Sequence, residues 1–473
     1  MRRNNAIKIV VELIRDFVRS MGSSSLEPYA SLLTQVVRFL DEYDWLVNSL
    51  SIHFFTDDLW SKLPTSWQAA LQNVSTEQLA EMLSPRGHPK RRSTPWPLSL
   101  EAFVATCHAL ALPRQPAAKE AASLSHSFSR FVKGKKRHEL ERLVPVIDRV
   151  CSLNDISCVV DVGCGQGHLA RLLAYGYGMS VDAVEAEESH LGGAEKGERM
   201  LMTDWEKQEQ RAESLTSSKQ SFRKGSLAHT RLRVSPDLKS DDFLERLSWK
   251  EKRHAIVGLH TCGNLGPTIF RLFAQCSSSR ALVSMGCCYM KSFDCESTLG
   301  YPLSQYVKDL SHQLSFRAAE LACHTMDAYR LRLQGCNEGK LNVHAYRAAV
   351  ELLVCKKFPS VDRSSVRKVR NYANMSVVEY AKAAISKMGL PLDLTLNDVE
   401  LLESTCPRHH LATAFFCIRL LLGPVIETCL LLDRVLYLRE HGVLHSYIWP
   451  LFDPRLSPRN MAIIAWKKQF KVS

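Results

Sequence analysis

The sequence predicts an open, mostly parallel α/β sheet of seven strands, with a helical N-terminal region and a helical insertion before the last two strands. Three observations lead there. Val159–Arg171, VVDVGCGQGHLAR, reads as a buried strand, a glycine-rich turn and the start of a helix. Further apolar runs of strand length follow, separated by helical patterns, as in repeated strand–helix units. Near the end a long apolar helix precedes two more strands, an ending suited to an antiparallel pair.

Residues 1–130 read as the helical N-terminal region. In MRRNNAIKIVVELIRDFVRS the apolar stretch before Glu12 is short, and Arg15, Asp16 and Arg19 interleave with Ile14, Phe17 and Val18. This predicts an amphipathic helix rather than a signal peptide, and Glu12 and Asp16 count against a mitochondrial presequence. Phe54–Trp60, FFTDDLW, reads as an apolar run followed by a helix N-cap. Ser84–Pro97 is rich in proline and basic residues and reads as an exposed loop, whose Lys90, Arg91 and Arg92 either touch a polyanion or are simply solvated.

Residues 131–290 form the expected core of the sheet. A helix with Leu140, Leu143, Val144 and Ile147 on one face leads into strands at 158–162, 180–184, 229–234, 255–260 and 281–286, with a helix at 169–175. Residues 194–227 read as a helix followed by a mobile loop. Residues 291–405 are a mostly helical insertion. Residues 406–473 complete the core with a helix at 411–438 and strands near 444–452 and 461–467. The helix has about the length needed to span a membrane. It carries Arg419, Pro424, Glu427, Asp433 and Arg434. Two charges near the middle of a span cost roughly 2.5–3.5 kcal/mol each, so a helix buried against the sheet is expected instead.

Chemistry concentrates at the first turn. Asp161 closes the strand, and Gly163, Gly165 and Gly167 keep the turn free of Cβ atoms, so a ligand can approach the backbone and the helix N–H groups. Placing the acid before the glycines, Asp-X-Gly-X-Gly-X-Gly, is similar to motif I of S-adenosyl-L-methionine (SAM)-dependent methyltransferases and unlike the phosphate fingerprint GxGxxG. An acid suits the ligand's ammonium group, which a pyrophosphate site would not need. Glu185 stands at the end of the second strand, 24 residues after Asp161, where an acid accepts ribose hydroxyls in the wider Rossmann-like group. Asp237, after the third strand, is a candidate for the adenine edge.

Composition bounds the rest. The 473 residues hold enough chain for two or three domains. With 61 Lys and Arg against 49 Asp and Glu, the net charge of +12 favours a polyanionic partner. Fifteen cysteines without framework spacing point to a reducing compartment, cytoplasmic or nuclear, and against secretion.

In open α/β sheets ligands bind at the carboxyl ends of the strands, so His260-Thr261-Cys262-Gly263-Asn264-Leu265 and Gly286-Cys287-Cys288-Tyr289-Met290-Lys291 should border the ligand pocket. Three readings compete for these residues. No C-x-x-C pair with a second pair at zinc-finger spacing is present, so no metal is expected. Thr261-Cys262 superficially matches the Thr-Cys pair of cytosine C5 methyltransferases, but lacks their Pro-Cys pattern. The third reading takes the cysteines as small apolar packers, with His260 and Tyr289 shaping the acceptor pocket. On that reading His260, Cys287, Cys288 and Tyr289 line the acceptor side, and His260 is available as a base toward a hydroxyl. The Asn-Pro-Pro-Tyr or Asn-Leu-Pro-Tyr motif of adenine N6 methylation is missing after the fourth strand.

KKRHE (135–139), DVGCGQGH (161–168), GLHTCGNL (258–265), GCCYMK (286–291) and LSPRN (456–460) together resemble the methyltransferase-like 25 family, as do FFTDDLW (54–60) and YPLSQ (301–305). The paired cysteines after the fifth strand are also similar to tRNA 2′-O-methyltransferases of the acceptor stem. The resemblance implies a SAM-dependent methyltransferase fold. An older family description implies ribosomal RNA adenine as substrate, against which the missing motif stands, and some descriptions imply a membrane segment. The function expected is methyl transfer from SAM to RNA, rRNA or tRNA, with no DNA partner. The alternatives are a non-catalytic SAM-binding scaffold and a protein or small-molecule methyltransferase.

Overall fold

The computed structural model describes residues 27–84, 95–116, 123–130, 132–212, 225–249, 252–293, 300–335, 338–391 and 393–467. The expected N-terminal amphipathic helix, most of the loop at 84–97 with its three basic residues, and the greater part of the loop before the third strand lie outside the described residues.

Two compact units emerge. One comprises 1–35, 113–319 and 429–473, the other 36–112 and 320–428. The boundaries expected from sequence lay at 130, 290 and 405 instead.

The first unit holds a seven-stranded sheet: β1 (Cys158–Val162), β2 (Ser180–Glu185), β3 (Ser226–Arg231), β4 (His254–Gly258), β5 (Ser279–Met285), β6 (His445–Pro450) and β7 (Met461–Trp466). The order is β3-β2-β1-β4-β5-β7-β6. The first five strands run parallel, and β7 pairs antiparallel with both β5 and β6. β1 and β4 are buried along their whole length, which explains their continuous apolar runs: helices cover both faces of a parallel sheet. The strand order reverses between β1 and β4, and at such a switch point the carboxyl ends leave a crevice.

The core of this unit joins helix Gly134–Leu153 to the sheet through Leu140, Leu143, Val144 and Ile147, the face anticipated from periodicity. Trp449, Phe452 and Ile464 of the C-terminal hairpin enter the same core. The short helix His168–Arg171 passes directly into a wider π turn, Leu172–Gly176.

β3 departs from the expected 229–234 by starting and ending three residues earlier, in register with β2 from Ser180↔Ser226 to Glu185↔Arg231. It is an edge strand with no fully buried residue, so no apolar alternation marks its limits. The single helix expected at 411–438 is two, His409–Leu420 and Leu422–Glu440. Pro424 has no N–H to continue the first helix's hydrogen-bond ladder into the second.

In the second unit the core is helical. Helix Val343–Lys357 packs with Val377–Lys387 through Val350, Leu353, Val354, Tyr380 and Ile385. FFTDDLW forms successive turns here, in place of the expected helix start. Fully buried Glu351 accepts hydrogen bonds from His53 Nδ1 (2.9 Å), Arg363 Nε (2.8 Å) and Thr56 Oγ1, and Asp57 pairs with Arg363 at 2.7 Å. These tertiary partners satisfy the polar side chains that would otherwise cap a helix.

Among the described residues, one run, Leu396–Glu440, is long and apolar enough to cross a membrane, and its most apolar window is wholly buried in protein. Its charges have partners there. Arg419 Nη2 donates to the Val47 carbonyl at 3.2 Å. Asp433 accepts from the Leu303 and Ser304 amides, both at 2.8 Å, and from Ser304 Oγ at 2.7 Å. The Arg434 guanidinium lies over the Phe270 and Tyr289 rings.

Replacing Asp433 strands three buried donors at once, and each such orphan costs about 1–3 kcal/mol. Asp433→Ala should therefore lower stability by several kcal/mol. A chemical-denaturation midpoint indistinguishable from that of the unaltered protein would contradict this account.

Candidate active site

The turn after β1 is built by backbone geometry. The Gly163 and Cys164 amides both donate to the Val184 carbonyl, at 2.9 and 3.1 Å, folding the end of β1 under the end of β2. Gly163, Gly165 and Gly167 all have positive φ, +73°, +54° and +65°. Their surroundings differ. A Cβ on Gly167 would press on Ala194 and Arg171, whereas one on Gly165 would meet nothing within 4 Å. Gly165 therefore faces open space, the condition for a ligand to lie against its backbone.

Two acids flank the turn, as expected. Asp161 is 2% exposed, and its Oδ2 has no hydrogen-bond partner among the described residues. Burial pushes its carboxyl up to about 7, against the pull of Lys136. Glu185 accepts from the Gly165 amide at 2.8 Å through Oε2, and from the Ala186 and Glu187 amides at 2.9 and 3.0 Å through Oε1. It thereby fixes the glycine turn and the first residues after β2 together. A carboxylate has about four lone-pair positions, and three are engaged here. Asp237 is fully exposed, six residues beyond β3, and hydrogen bonding from Ser235 keeps its carboxyl below the usual range.

Arg171 escaped the sequence reading. It is 7% exposed and donates to the carbonyls of Gln166 (2.8 Å) and Ala194 (3.0 Å), pinning the glycine turn to the following helix Glu188–Ala212. An arginine inside an otherwise apolar helix start was the signal available.

The ends of β1, β4 and β5 form one continuous edge. A Cβ on Gly163 would touch Leu265 Cδ2 after β4, and one on Gly263 would touch Lys291 after β5. Thr261 Oγ1 donates to the Met285 carbonyl at 3.2 Å, tying β4 to β5. Beyond this tie, Cys287 Sγ lies 3.6 Å from Cys262 Sγ, 3.5 Å from Cys288 Sγ and 3.9 Å from His260 Nδ1. The other ring nitrogen of His260, Nε2, meets Glu139 Oε2 at 3.3 Å. Glu139 is 1% exposed and also accepts from Ser457 Oγ at 2.7 Å.

This arrangement corrects two expectations. Both nitrogens of His260 are engaged, and the Cys287 thiol and the Glu139 carboxylate push it up to about 9, so it is not poised as a base. Tyr289 does not line an acceptor surface. It is 1% exposed, stacked against the Arg434 guanidinium, with its hydroxyl over Gly286 where a Cβ would collide. Cys287 is buried, while Cys262 and Cys288 are half-buried. The sulfurs compete for charge: hydrogen bonding from Cys287 lowers Cys262, and Cys262 together with burial raises Cys287 to about 12.

Comparison with known proteins agrees with the geometry. A family model described as a methyltransferase domain matches residues 135–292, from the lead-in helix through the turn after β5. A mouse (Mus musculus) protein named "Probable methyltransferase-like protein 25" is 24% identical over 458 aligned positions, covering 72% of this chain and 76% of the mouse protein. The human (Homo sapiens) protein of the same name is 32% identical over 231 positions, covering 45% of this chain and 37% of the human protein. No solved structure matches the chain significantly. With a seven-stranded sheet, an acid–glycine turn at its switch point and these similarities, the chain is a methyltransferase, similar to the mouse and human proteins named methyltransferase-like protein 25.

Proposed function

We propose that the methyl donor is SAM and that the acceptor is RNA. The observation that carries the donor assignment is the orphaned Oδ2 of buried Asp161, beside a glycine turn open at Gly165. A buried carboxylate oxygen without a partner favours an incoming cation, and the donor's methionine part carries an ammonium. Glu185, at the end of β2, has about one lone-pair position left for a ribose hydroxyl. Bound there, the donor supplies an activated methyl group on a sulfonium. Asp161 would hold the ammonium, Glu185 the ribose, and the amide-lined turn the rest of the ligand. Since neither nitrogen of His260 is free, acceleration would rest on holding the acceptor in line with the methyl group rather than on a base.

The RNA reading rests on charge and position. The net charge is +12, and Lys135, Lys136 and Arg137 begin the helix that carries Glu139.

Asp161 supplies a pH test. Its native carboxyl lies above its ordinary value, and only the ionised form pairs with an ammonium. Donor affinity should therefore rise with pH as the carboxyl ionises. Between about pH 5.5 and 7, where an α-ammonium stays charged, the gain expected is about fifteenfold. Asp161→Asn should flatten this dependence. It should also stabilise the ligand-free protein at pH 7 but not at pH 4, because the buried charge that opposes folding above the unfolded value is gone. Titration calorimetry at four pH values checks the first expectation and thermal melts the second.

The acceptor is tested with tritiated SAM and total cellular RNA at low salt, where phosphate contacts are strongest. Label should enter RNA with the intact protein and be absent with Asp161→Ala. Label in a ribonuclease-resistant protein or metabolite fraction would replace the RNA reading. SAM binding without turnover on any of these pools would favour the scaffold.

A further inference from the structure

We propose that Cys262, Cys287 and Cys288, with His260 as fourth ligand, bind one zinc-class divalent cation that clamps the carboxyl ends of β4 and β5. The three sulfur atoms lie within 4.8 Å of one another. A tetrahedral zinc with Zn–S bonds of about 2.3 Å places its sulfur ligands about 3.8 Å apart, and a sulfur and an imidazole nitrogen about 3.6 Å apart. The observed separations from Cys287 Sγ are 3.6 and 3.5 Å to the two sulfurs and 3.9 Å to His260 Nδ1. The three sulfurs thus have nearly the spacing they would have around an ion, and His260 Nδ1, beside Cys287, needs only a small shift to join them. Three thiolates and an imidazole also form a ligand set that prefers zinc over magnesium or calcium.

Two features of the backbone and its surroundings point the same way. Successive side chains on an extended chain point in opposite directions, so vicinal cysteines do not ordinarily share a target. Cys288 adopts φ 39°, ψ 53°, a left-handed conformation costly for any residue with a Cβ, and the curl brings the two adjacent sulfurs to 3.5 Å. On the far side of His260, buried Glu139 engages Nε2 and is itself held by Ser457. A carboxylate on one imidazole nitrogen orients the ring and leaves the other nitrogen as a donor, the usual support of a metal-bound histidine. Here that other nitrogen faces Cys287. Half-buried Cys262 and Cys288 leave the ion a path in.

Four protein ligands would make this a closed, structural site with no position for substrate. Its effect would be to hold the loops after β4 and β5 against each other beside the donor turn. The proposal does not depend on which donor or acceptor the enzyme uses.

The test uses the full-length protein, purified under reducing conditions and reconstituted with zinc or cobalt(II). One equivalent of zinc per chain is expected, and the cobalt form should show a thiolate-to-metal charge-transfer band of tetrahedral type. Cys262→Ser and Cys287→Ser should each lose the band, while Cys406→Ser, at an exposed cysteine elsewhere, should keep it. Glu139→Gln should retain the ion with affinity reduced about 10–100-fold, a response that a chance cluster of thiols would not give. If the cysteine variants do not fold, the unaltered chain decides alone, by its zinc stoichiometry and cobalt spectrum. Failure of that chain to take up either ion, a charge-transfer band that survives Cys287→Ser, or a Cys262–Cys287 disulfide in the native protein would each overturn the proposal.

Discussion

The carboxyl end of β1 is folded under the end of β2 by two amides that share one carbonyl, that of Val184. The turn that follows holds residues 163, 165 and 167 at positive φ, a conformation that favours glycine at each. Glu185, next to Val184, then completes the turn by accepting from Gly165. Because these bonds are made by the backbone, the turn presents amides and, at Gly165, open space. Arg171 reinforces the same turn from behind, from within the protein.

Burial of charge is the second theme, and it separates two uses of a carboxylate. Asp433 and Glu351 are buried and fully engaged, each receiving at least three donors, and they hold loops to helices. Asp161 is equally buried yet has an oxygen with no partner among the described residues. The cost of a stranded carboxylate oxygen falls when a cation arrives, so an unsatisfied acid is evidence of a ligand site in a way that a satisfied one is not. Glu139 stands between the two. Its partners are a serine, the neighbouring Lys135 and a histidine, and the histidine passes the contact on to Cys287.

The strand ends beside the glycine turn divide accordingly. β1 and β2 supply the acids and the glycine turn, while β4 and β5 supply a knot of sulfur and imidazole joined by the Thr261–Met285 hydrogen bond. Tyr289, which looks like a pocket residue when only its place after β5 is considered, turns inward to meet Arg434. The helix Leu422–Glu440 can therefore carry Arg434 and Asp433 in an apolar setting, because the sheet side supplies an aromatic face and loop amides for them.

Local patterning was enough to determine the sheet, the limits of β1 and β7 to within a residue, the lead-in helix and the acid–glycine turn. Those features depend on neighbours in the chain: β-branched runs, a 3.6-residue apolar stripe, and glycines at fixed offsets from an acid. What needed the tertiary structure depends on residues far apart in sequence. The edge strand β3 takes its register from β2, because its own residues are too evenly half-buried to mark a start. FFTDDLW forms turns because Glu351 and Arg363, some 300 residues on, take its polar side chains. The engagement of both His260 nitrogens, the inward turn of Tyr289 and the meeting of Cys262 with Cys287 and Cys288 could not be read from spacing. Their partners come from separate strand ends and from helix Gly134–Leu153, and only the strand order of the sheet brings them within bonding distance.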